Sequence, residues 1–479
     1  MPDSFLFYDL ETYGQDPRRT RIAQFAAVRT DAELNVVDEP VSFFVQPADD
    51  LLPSPYATLV TGITPQLAKS QGVNEAEAFS RIAEQMGRPQ TCTLGYNSLR
   101  FDDEFVRHGL FRNFHDPYER EWRGGNSRWD LLDMLRLVHA LRPDGITWPQ
   151  REDGATSFKL EQLAEANHVR EGDAHEALSD VFATIGMARL FRRHQPRLWD
   201  YALKLRDKRY CASLLDVVAM QPVLHVSQRY PAARLCAAPV VPLTRHPKVD
   251  SRVIVFDLEG DIEPLLRFSP EQIADRLYVP ASALPEGEQR IGLKEVHLNK
   301  SPALVSWSHL RAPDFERLRI DRERIEANAA RLRDHGPQLA EKVRQVYAGE
   351  RGGAPADVDA SLYDGFLGDG DRRLFPAVRA STPQALATLS DRFTDPRLPE
   401  LLFRYRARNW PGSLDAGEQQ RWDEYRRRRL IDDNGLSEVT FEQFWAQIAE
   451  LRTAHADAPG RLALLDQLAG WGADLQRTL

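Results

Sequence analysis

The chain has 479 residues, is 42% hydrophobic and 28% charged, and carries a formal net charge of −9. Such a length suggests roughly two to four domains with a large buried core, and no run reaches the ~18 apolar residues that a membrane helix needs. The acidic balance argues only weakly against a nucleic-acid partner, because affinity for phosphates depends on local charge. Cys92, Cys211 and Cys236 lie far apart with no CxxC spacing. A disulfide framework is therefore not expected, and a reducing cytoplasm is. The opening MPDSFLFYDL has no basic n-region and no small-residue cleavage site, so no signal peptide is expected.

In chain order, FLFYDLE reads as a strand, followed by IAQFAAVRTD and VVDEPVSFFVQP, with TCTLGYN as a further short strand. Helical periodicity predicts helices over 74–87, 103–112, 129–141, 157–168 and 174–194, the fourth capped by Thr156 or Ser157. Strands interleaved with helices predict an α/β domain, a mixed sheet with helices packed on it, over 1–195. Pro196 stops the last of these helices. Short β-like runs (PVLHVS, RVIVFDL, EVHLNKSPALVSW) with helices at 270–277 and 321–347 predict a small β-rich domain over 196–349. AGERGGAPADVD reads as a linker, and 350–479 is predicted to be α-helical.

The acids carry the chemistry. Residues two apart on a strand share a face, so Asp9 and Glu11 project together at or just past the end of the first strand. Two close carboxylates repel and lose hydration. A divalent cation offsets this most simply, and Mg²⁺ suits one or two carboxylates plus waters and phosphate oxygens. The pair alone proves little, since a solvated loop start also accommodates it. Asp102 follows a strand in GYNSLRFDDEF at a helix start, with Asp103 as its neighbouring competitor. GDAHEALSD holds His175 and Asp180. Five residues on one helix turn through about 140°, so His175 reaches the same site as Asp180 only from the turn before the helix. There it suits a general base for water.

A DxE on the first strand, N-x-x-x-F-D near 100 and H-x-x-x-x-D near 180, in that order, resemble the DEDDh 3′→5′ exonuclease superfamily. FLFYDLET, PADDLLPSPYATLVTGITPQ, LGYNSLRFDDEF, NSRWDLLDMLRLVHALRPDGI and LLFRYRARNWPGSLDAGEQQRW extend the resemblance over nearly the whole chain, to the exodeoxyribonuclease I family. That resemblance implies a ribonuclease H-like exonuclease domain, an SH3-like β-rich domain and a helical C-terminal domain. It also implies a monomeric, processive enzyme that degrades single-stranded DNA from the 3′ end to 5′-mononucleotides, in DNA repair and recombination. The implied catalytic set is Asp9, Glu11, Asp102, His175 and Asp180. Asp102 is preferred to Asp103 because it directly follows Phe101. The implied cofactor is Mg²⁺, two ions per site about 3.5–4 Å apart, with Mn²⁺ as a substitute. Asp9 bridges them, Glu11 and Asp180 complete the first, Asp102 holds the second, and Glu11 also touches the terminal 3′-hydroxyl.

A single-strand groove needs cations for phosphates and flat rings for bases. By the same resemblance, Arg107, Tyr118, Trp122, Arg136 and Arg142 are expected near the strand. Trp129 is read as core and Trp122 as exposed. Lys159 stands where the family commonly has Arg, so the charge is kept without the two-pronged fork. RYRARNWPGSL and RWDEYRRRRL read either as solvated helix faces or as a second surface closing over DNA. Arg142 and Tyr201 can serve DNA or a protein partner, and the implied partner is the single-stranded DNA-binding protein through its acidic tail. No membrane partner is expected. LYDGFLGDGD lacks calcium-loop spacing, His225, His246, His297 and His309 show no metal-like pairing, and Cys92 reads as a buried strand residue. Two other readings stand beside this one: an exonuclease acting on RNA ends or proofreading, and a single-strand-binding or partner-recruiting scaffold with an inactive site.

Overall fold

The computed structural model describes residues 2–170, 176–279, 284, 290–349, 357–432 and 434–479. The chain forms two compact units, one of Pro2–Ser127, Arg170–Ala183 and Gly353–Leu479, the other of Arg128–Val169 and Thr184–Gly352. The chain thus passes from one unit to the other more than once.

The first unit is built on β1 (Ser4–Thr12), β2 (Ile22–Asp31), β3 (Val41–Phe44) and β4 (Thr91–Gly95), which lie in the order β3-β2-β1-β4. β1 pairs antiparallel with β2 along its whole length and parallel with β4. One face of β1, Leu6, Tyr8 and Leu10, is buried with Phe25, Phe79 and Phe105. The helices Glu75–Gly87 and Asp102–Arg112 cover this face. They approach closely at Gly109, where a Cβ would lie 1.8 Å from the Phe79 ring. Asn74 caps the first of them by accepting from the Glu77 amide, as Asn does at helix starts.

The predicted strand VVDEPVSFFVQP shortens to β3, and the PSPYATLVTGITPQ stretch folds into two short helices, Pro55–Thr61 and Pro65–Gln71. Each has proline in its first turn, where a missing N–H costs nothing. The C-terminal helices belong to this same unit. Phe111 and Phe114 share a core with Leu362, Phe375, Leu398 and Tyr405, and Leu52 shares one with Leu430, Phe444 and Leu465.

The other unit contains a five-stranded sheet. β5 (Ser127–Asp130) runs across the boundary between the two units in sequence. The sheet that follows has β6 (Val223–Val226), β7 (Ala237–Arg245), β8 (Arg252–Asp257), β9 (Leu293–His297) and β10 (Ala303–Ser306), in the order β10-β6-β7-β8-β9. β7 escaped the sequence reading because it holds Pro239 and Pro242, which cannot donate to a ladder. The structure accommodates them with a register shift between Pro242 and Thr244.

The helix predicted over 129–141 starts only at Leu131, with Asp130 as its cap. Trp129 is a strand residue, fully buried against Trp199. The helix predicted over 157–168 is shorter, Leu160–Ala166. Its N-cap is Lys159, without a side-chain capping bond, rather than Thr156 or Ser157. The segment 321–347 is two helices, Arg322–Asp334 and Gly336–Ala348, divided where Pro337 forbids continuation.

Candidate active site

β1 projects Asp9 and Glu11 from the side opposite Tyr8 and Leu10. Both acids lie within the strand, not past its end, as the β1–β2 ladder runs on to Thr12. The β1–β4 ladder stops at Phe7 paired with Leu94, so the two acids reach beyond the carboxyl end of β4. Open α/β sheets place ligands at that end. The chain then leaves β4 through Gly95, where a Cβ would press on the Tyr8 carbonyl oxygen at 2.7 Å. Asn97 follows with φ 64°, a left-handed conformation that asparagine tolerates. This turn delivers Asp102 and Asp103 to the first turn of a helix, where the helix dipole favours negative charge.

The structure separates those two neighbours. Asp103 is buried and accepts from the Tyr8 hydroxyl at 3.1 Å and from Arg120 at 2.5 Å. It is occupied by a structural ion pair. Asp102 is the one whose charge acts on Asp9, ahead of Asp180. Asp180 lies in the first turn of the helix Ala177–His194. Asp9, Glu11 and Asp180 each offer an oxygen, and the three oxygens lie within 4.8 Å of one another. His175 lies outside the described residues.

Burial raises the Asp9 carboxyl well above its ordinary range, and the charges of Asp102 and Asp180 raise it further. Glu11 is pushed up to about 9 by burial, then by Asp9, Asp180 and Glu176. An all-oxygen donor set whose members destabilise one another's charge suits a hard divalent cation, which inverts that local logic.

Three neighbours were not found from the sequence. Arg170 donates to Asp180 at 2.8 Å, and a single arginine ten residues earlier gives no pattern to find it by. Glu176 caps the same helix by accepting from the Ser179 amide at 2.8 Å. Glu438, from the C-terminal helical region, accepts from the backbone amides of Gln15 at 2.8 Å and Asp16 at 2.9 Å. It borders a cavity of about 480 Å³ that Leu10, Glu11, Tyr56 and Phe101 also line. Only the fold brings Glu438 to this place.

The expected DNA contacts divide between the units. Trp122, 66% exposed, stands in solvent as read from the sequence. Tyr118 is half-buried, with the Arg107 guanidinium over its ring. Arg107 itself is buried, pairing with Glu121 at 2.8 Å and Glu104 at 3.3 Å. In the other unit, Arg136 is buried on Asp133 at 2.7 Å. Both arginines are largely buried, and each pairs with acids of its own unit. Arg142 pairs with Asp314 and lines a cavity of about 390 Å³ with Tyr201, Arg197 and Arg311. Lys159 is largely exposed, 3.8 Å from Glu161.

The arginines of the C-terminal region are a further correction. Arg404, Arg406, Arg408, Arg426 and Arg429 are buried in ion pairs, with Asp359, Asp50 and Glu418 among the partners. Arg426 also pairs with Asp423. In the RRRR run only Arg427 and Arg428 are exposed.

Comparison with known proteins adds three family matches: Exonuclease over residues 6–188, the Exonuclease I SH3-like domain over 206–349 and the Exonuclease I C-terminal domain over 356–475. The chain is 45% identical to exodeoxyribonuclease I of Escherichia coli (strain K12) over 467 residues, 97% of this chain and 96% of that one. Its structure matches exonuclease I from Methylocaldum szegediense with a TM-score of 0.94 and 48% identity, covering 98% of this chain and 99% of that one. It matches E. coli exonuclease I in complex with a dA16 oligonucleotide with a TM-score of 0.95 and 44% identity, covering 99% and 100%. A zinc-bound E. coli complex with single-stranded DNA matches at 0.93, with 43% identity over 99% of each chain. An SSB/Exonuclease I structure with the inhibitor CFAM matches at 0.89, with 44% identity over 99% and 100%. The fold is accordingly a ribonuclease H-like exonuclease domain followed by SH3-like and C-terminal domains.

Proposed function

The chain belongs to the exodeoxyribonuclease I family, and from that premise we propose that it hydrolyses single-stranded DNA processively from the 3′ end, releasing 5′-mononucleotides. The observation that carries this reading is the convergence of Asp9, Glu11 and Asp180 within 4.8 Å, with Asp102 acting electrostatically on Asp9. Asp9, Glu11 and Asp180 would hold one Mg²⁺ and Asp102 a second, with Asp9 shared and Mn²⁺ able to replace either. Bound ions of this kind polarise the scissile phosphate and neutralise charge on the attacking and leaving oxygens.

The protein's own groups do the rest. His175 takes the proton of the attacking water as general base. Glu11, at the rim of the cavity lined by Leu10, Phe101 and Tyr56, accepts from the terminal 3′-hydroxyl, so that an end is recognised. Water attacks phosphorus and the bond from phosphorus to the 3′ oxygen breaks. The terminal nucleotide departs with its 5′-phosphate, and the shortened strand gains a new 3′-hydroxyl. Trp122, Tyr118, Lys159, Arg107 and Arg136 are proposed to guide the strand.

The other proposals follow the same premise. The cavity lined by Arg142, Arg197, Arg311 and Tyr201 suits the acidic tail of the single-stranded DNA-binding protein, because three guanidiniums and a ring match carboxylates and an apolar residue. We place the protein in the cytoplasm, as a monomer acting in DNA repair and recombination, with sequence modules 1–195, 196–349 and 350–479. Among the described residues no helix is long and apolar enough to cross a membrane.

Digestion of a 5′-labelled single strand with Mg²⁺, beside a matched duplex and an RNA of the same sequence, tests the central reading. Shortening from the 3′ end only on the DNA single strand, abolished by EDTA, is expected. Equal cutting of RNA would favour an RNA-end nuclease, and strand binding without any metal-dependent cutting would leave an inactive scaffold.

A further inference from the structure

Glu438 comes close to the acids of the site without belonging to the set that would hold a cation. It lies just ahead of the helix Phe441–Ala454, whose start is fixed by a capping box of Thr440 and Gln443. Its neighbours Ser437 and Val439 are buried, Val439 in the core with Leu52 and Phe444. A cap on one side and buried residues at both flanks anchor the Glu438 backbone, so its carboxylate is held where it meets the loop that follows Glu11.

That loop, residues 13–21, joins β1 to β2. The Gln15 amide donates to both Glu438 oxygens at 2.8 Å, and the Asp16 amide to one of them at 2.9 Å. Consecutive amides around one carboxylate form a nest that takes up its charge. Gly14 lies against the same carboxylate, where a Cβ would be 2.5 Å from Oε2. The buried Arg429 ties the two segments a second time, donating to the Leu436 carbonyl at 2.7 Å and to the Arg19 carbonyl at 2.6 Å.

The part of β1 beside this loop is irregular. The β1–β2 register shifts between Glu11 and Thr12: Glu11 faces Gln24 and Thr12 faces Ile22, which leaves Ala23 as an extra residue. A bulge of this kind re-aims the side chains beside it. Its geometry persists only while the chain around it is fixed, and a surface loop left to itself opens at little cost. Glu11 therefore stands at the bulged end of a strand whose outgoing loop is gripped by Glu438, and the two acids line the same cavity.

We propose that Glu438 is a positioning residue of the nuclease site: by gripping Gln15 and Asp16 it fixes the bulged end of β1, and with it the aim of Glu11 at the cation and at the terminal 3′-hydroxyl. The proposal rests on the role given to Glu11 above and adds a residue of the C-terminal region to the machinery that recognises an end.

The test compares the full-length protein with Glu438→Ala, Glu438→Gln and Gly14→Ala. Two quantities are read: the Mn²⁺ affinity of the DNA-free protein by calorimetry, and the ratio of first-cut kcat/KM for a strand ending in a 3′-hydroxyl over the same strand ending in a dideoxynucleotide. Glu438→Ala should lower each by about tenfold or more, as loss of a group that orients a metal ligand does. Glu438→Gln keeps one oxygen to accept from the amides and should recover part of both. Gly14 is outside the left-handed region, so Gly14→Ala should fold. Its methyl displaces the carboxylate without removing it, so it should reproduce Glu438→Ala and add nothing in combination with it. The urea midpoint checks that each variant is folded. An unchanged end ratio in folded Glu438→Ala or Gly14→Ala overturns the proposal even if the overall rate falls, and so does an unchanged Mn²⁺ affinity, because both roles of Glu11 need the same aim. An unaltered protein that cuts both ends equally would instead overturn the end-recognising role of Glu11, and the proposal with it.

Discussion

Asp102 and Asp103 are adjacent carboxylates with opposite employment. Asp103 neutralises a buried arginine and accepts from Tyr8, so Asp103→Ala strips a buried charge of its partner. It should lower stability by about 3–5 kcal/mol, read as a fall in the urea midpoint. Asp102→Ala should leave that midpoint nearly unchanged and cut the hydrolysis rate by about 10³-fold. The opposite pattern would exchange their roles. Asp9→Ala and Asp180→Ala should each reduce turnover by about 10³-fold or more, and the double variant little further, because such groups act as a unit. His175→Ala should still bind metal and DNA and hydrolyse slowly; normal hydrolysis by that variant would refute its assignment as base. Arg142→Ala should abolish binding of an acidic tail peptide while sparing hydrolysis of the naked strand. Loss of naked-strand hydrolysis would assign Arg142 to the DNA instead.

At the scale of elements, the helices Arg397–Asn409 and Ala416–Leu430 carry the arginines that the sequence offered to DNA. The charges of Arg404, Arg408 and Arg429 converge on Asp359 and Asp50, both almost fully buried. Arg408, Arg429 and Arg21 hold Asp50 down at about 2 despite its burial. Arg408 and Arg404 hold Asp359 well below the usual carboxylate range in the same way. A folded value below the unfolded one, about 3.9, means the unfolded chain binds the proton first. The stabilisation is therefore whole above about pH 4 and is lost as pH falls through the folded value near 2. Chemical denaturation between pH 6 and pH 2 should show resistance falling mainly below about pH 4. Asp359→Asn should cost about 3–5 kcal/mol at neutral pH, since it leaves buried arginines without their counter-charge. A loss below 1 kcal/mol would mean the network is not what holds these helices.

At the scale of the whole molecule, the C-terminal helices share their core with the nuclease region through Phe111, Phe114 and Leu52. Removal of residues 357–479 should therefore not yield a folded nuclease. Insolubility or loss of cooperative unfolding is expected, and a stable, active fragment would contradict it.

What the sequence by itself determined was local and ordered. Strand alternation puts Asp9 and Glu11 on one face, and the spacing of the acids along strand, helix start and helix turn limits which of them can meet. The helices over 74–87 and 103–112 were legible within a residue at either end, because apolar periodicity and capping act over a few residues. β7 was not, because its two prolines contradict strand propensity and only its neighbours override them. The fate of each arginine was decided by tertiary structure alone. Arg408 meets Asp50 across 358 residues, and Glu438 meets Gln15 across 423. No local rule carries that information: a charged run looks the same whether a distant acid will bury it or water will bathe it, and burial sets its energy.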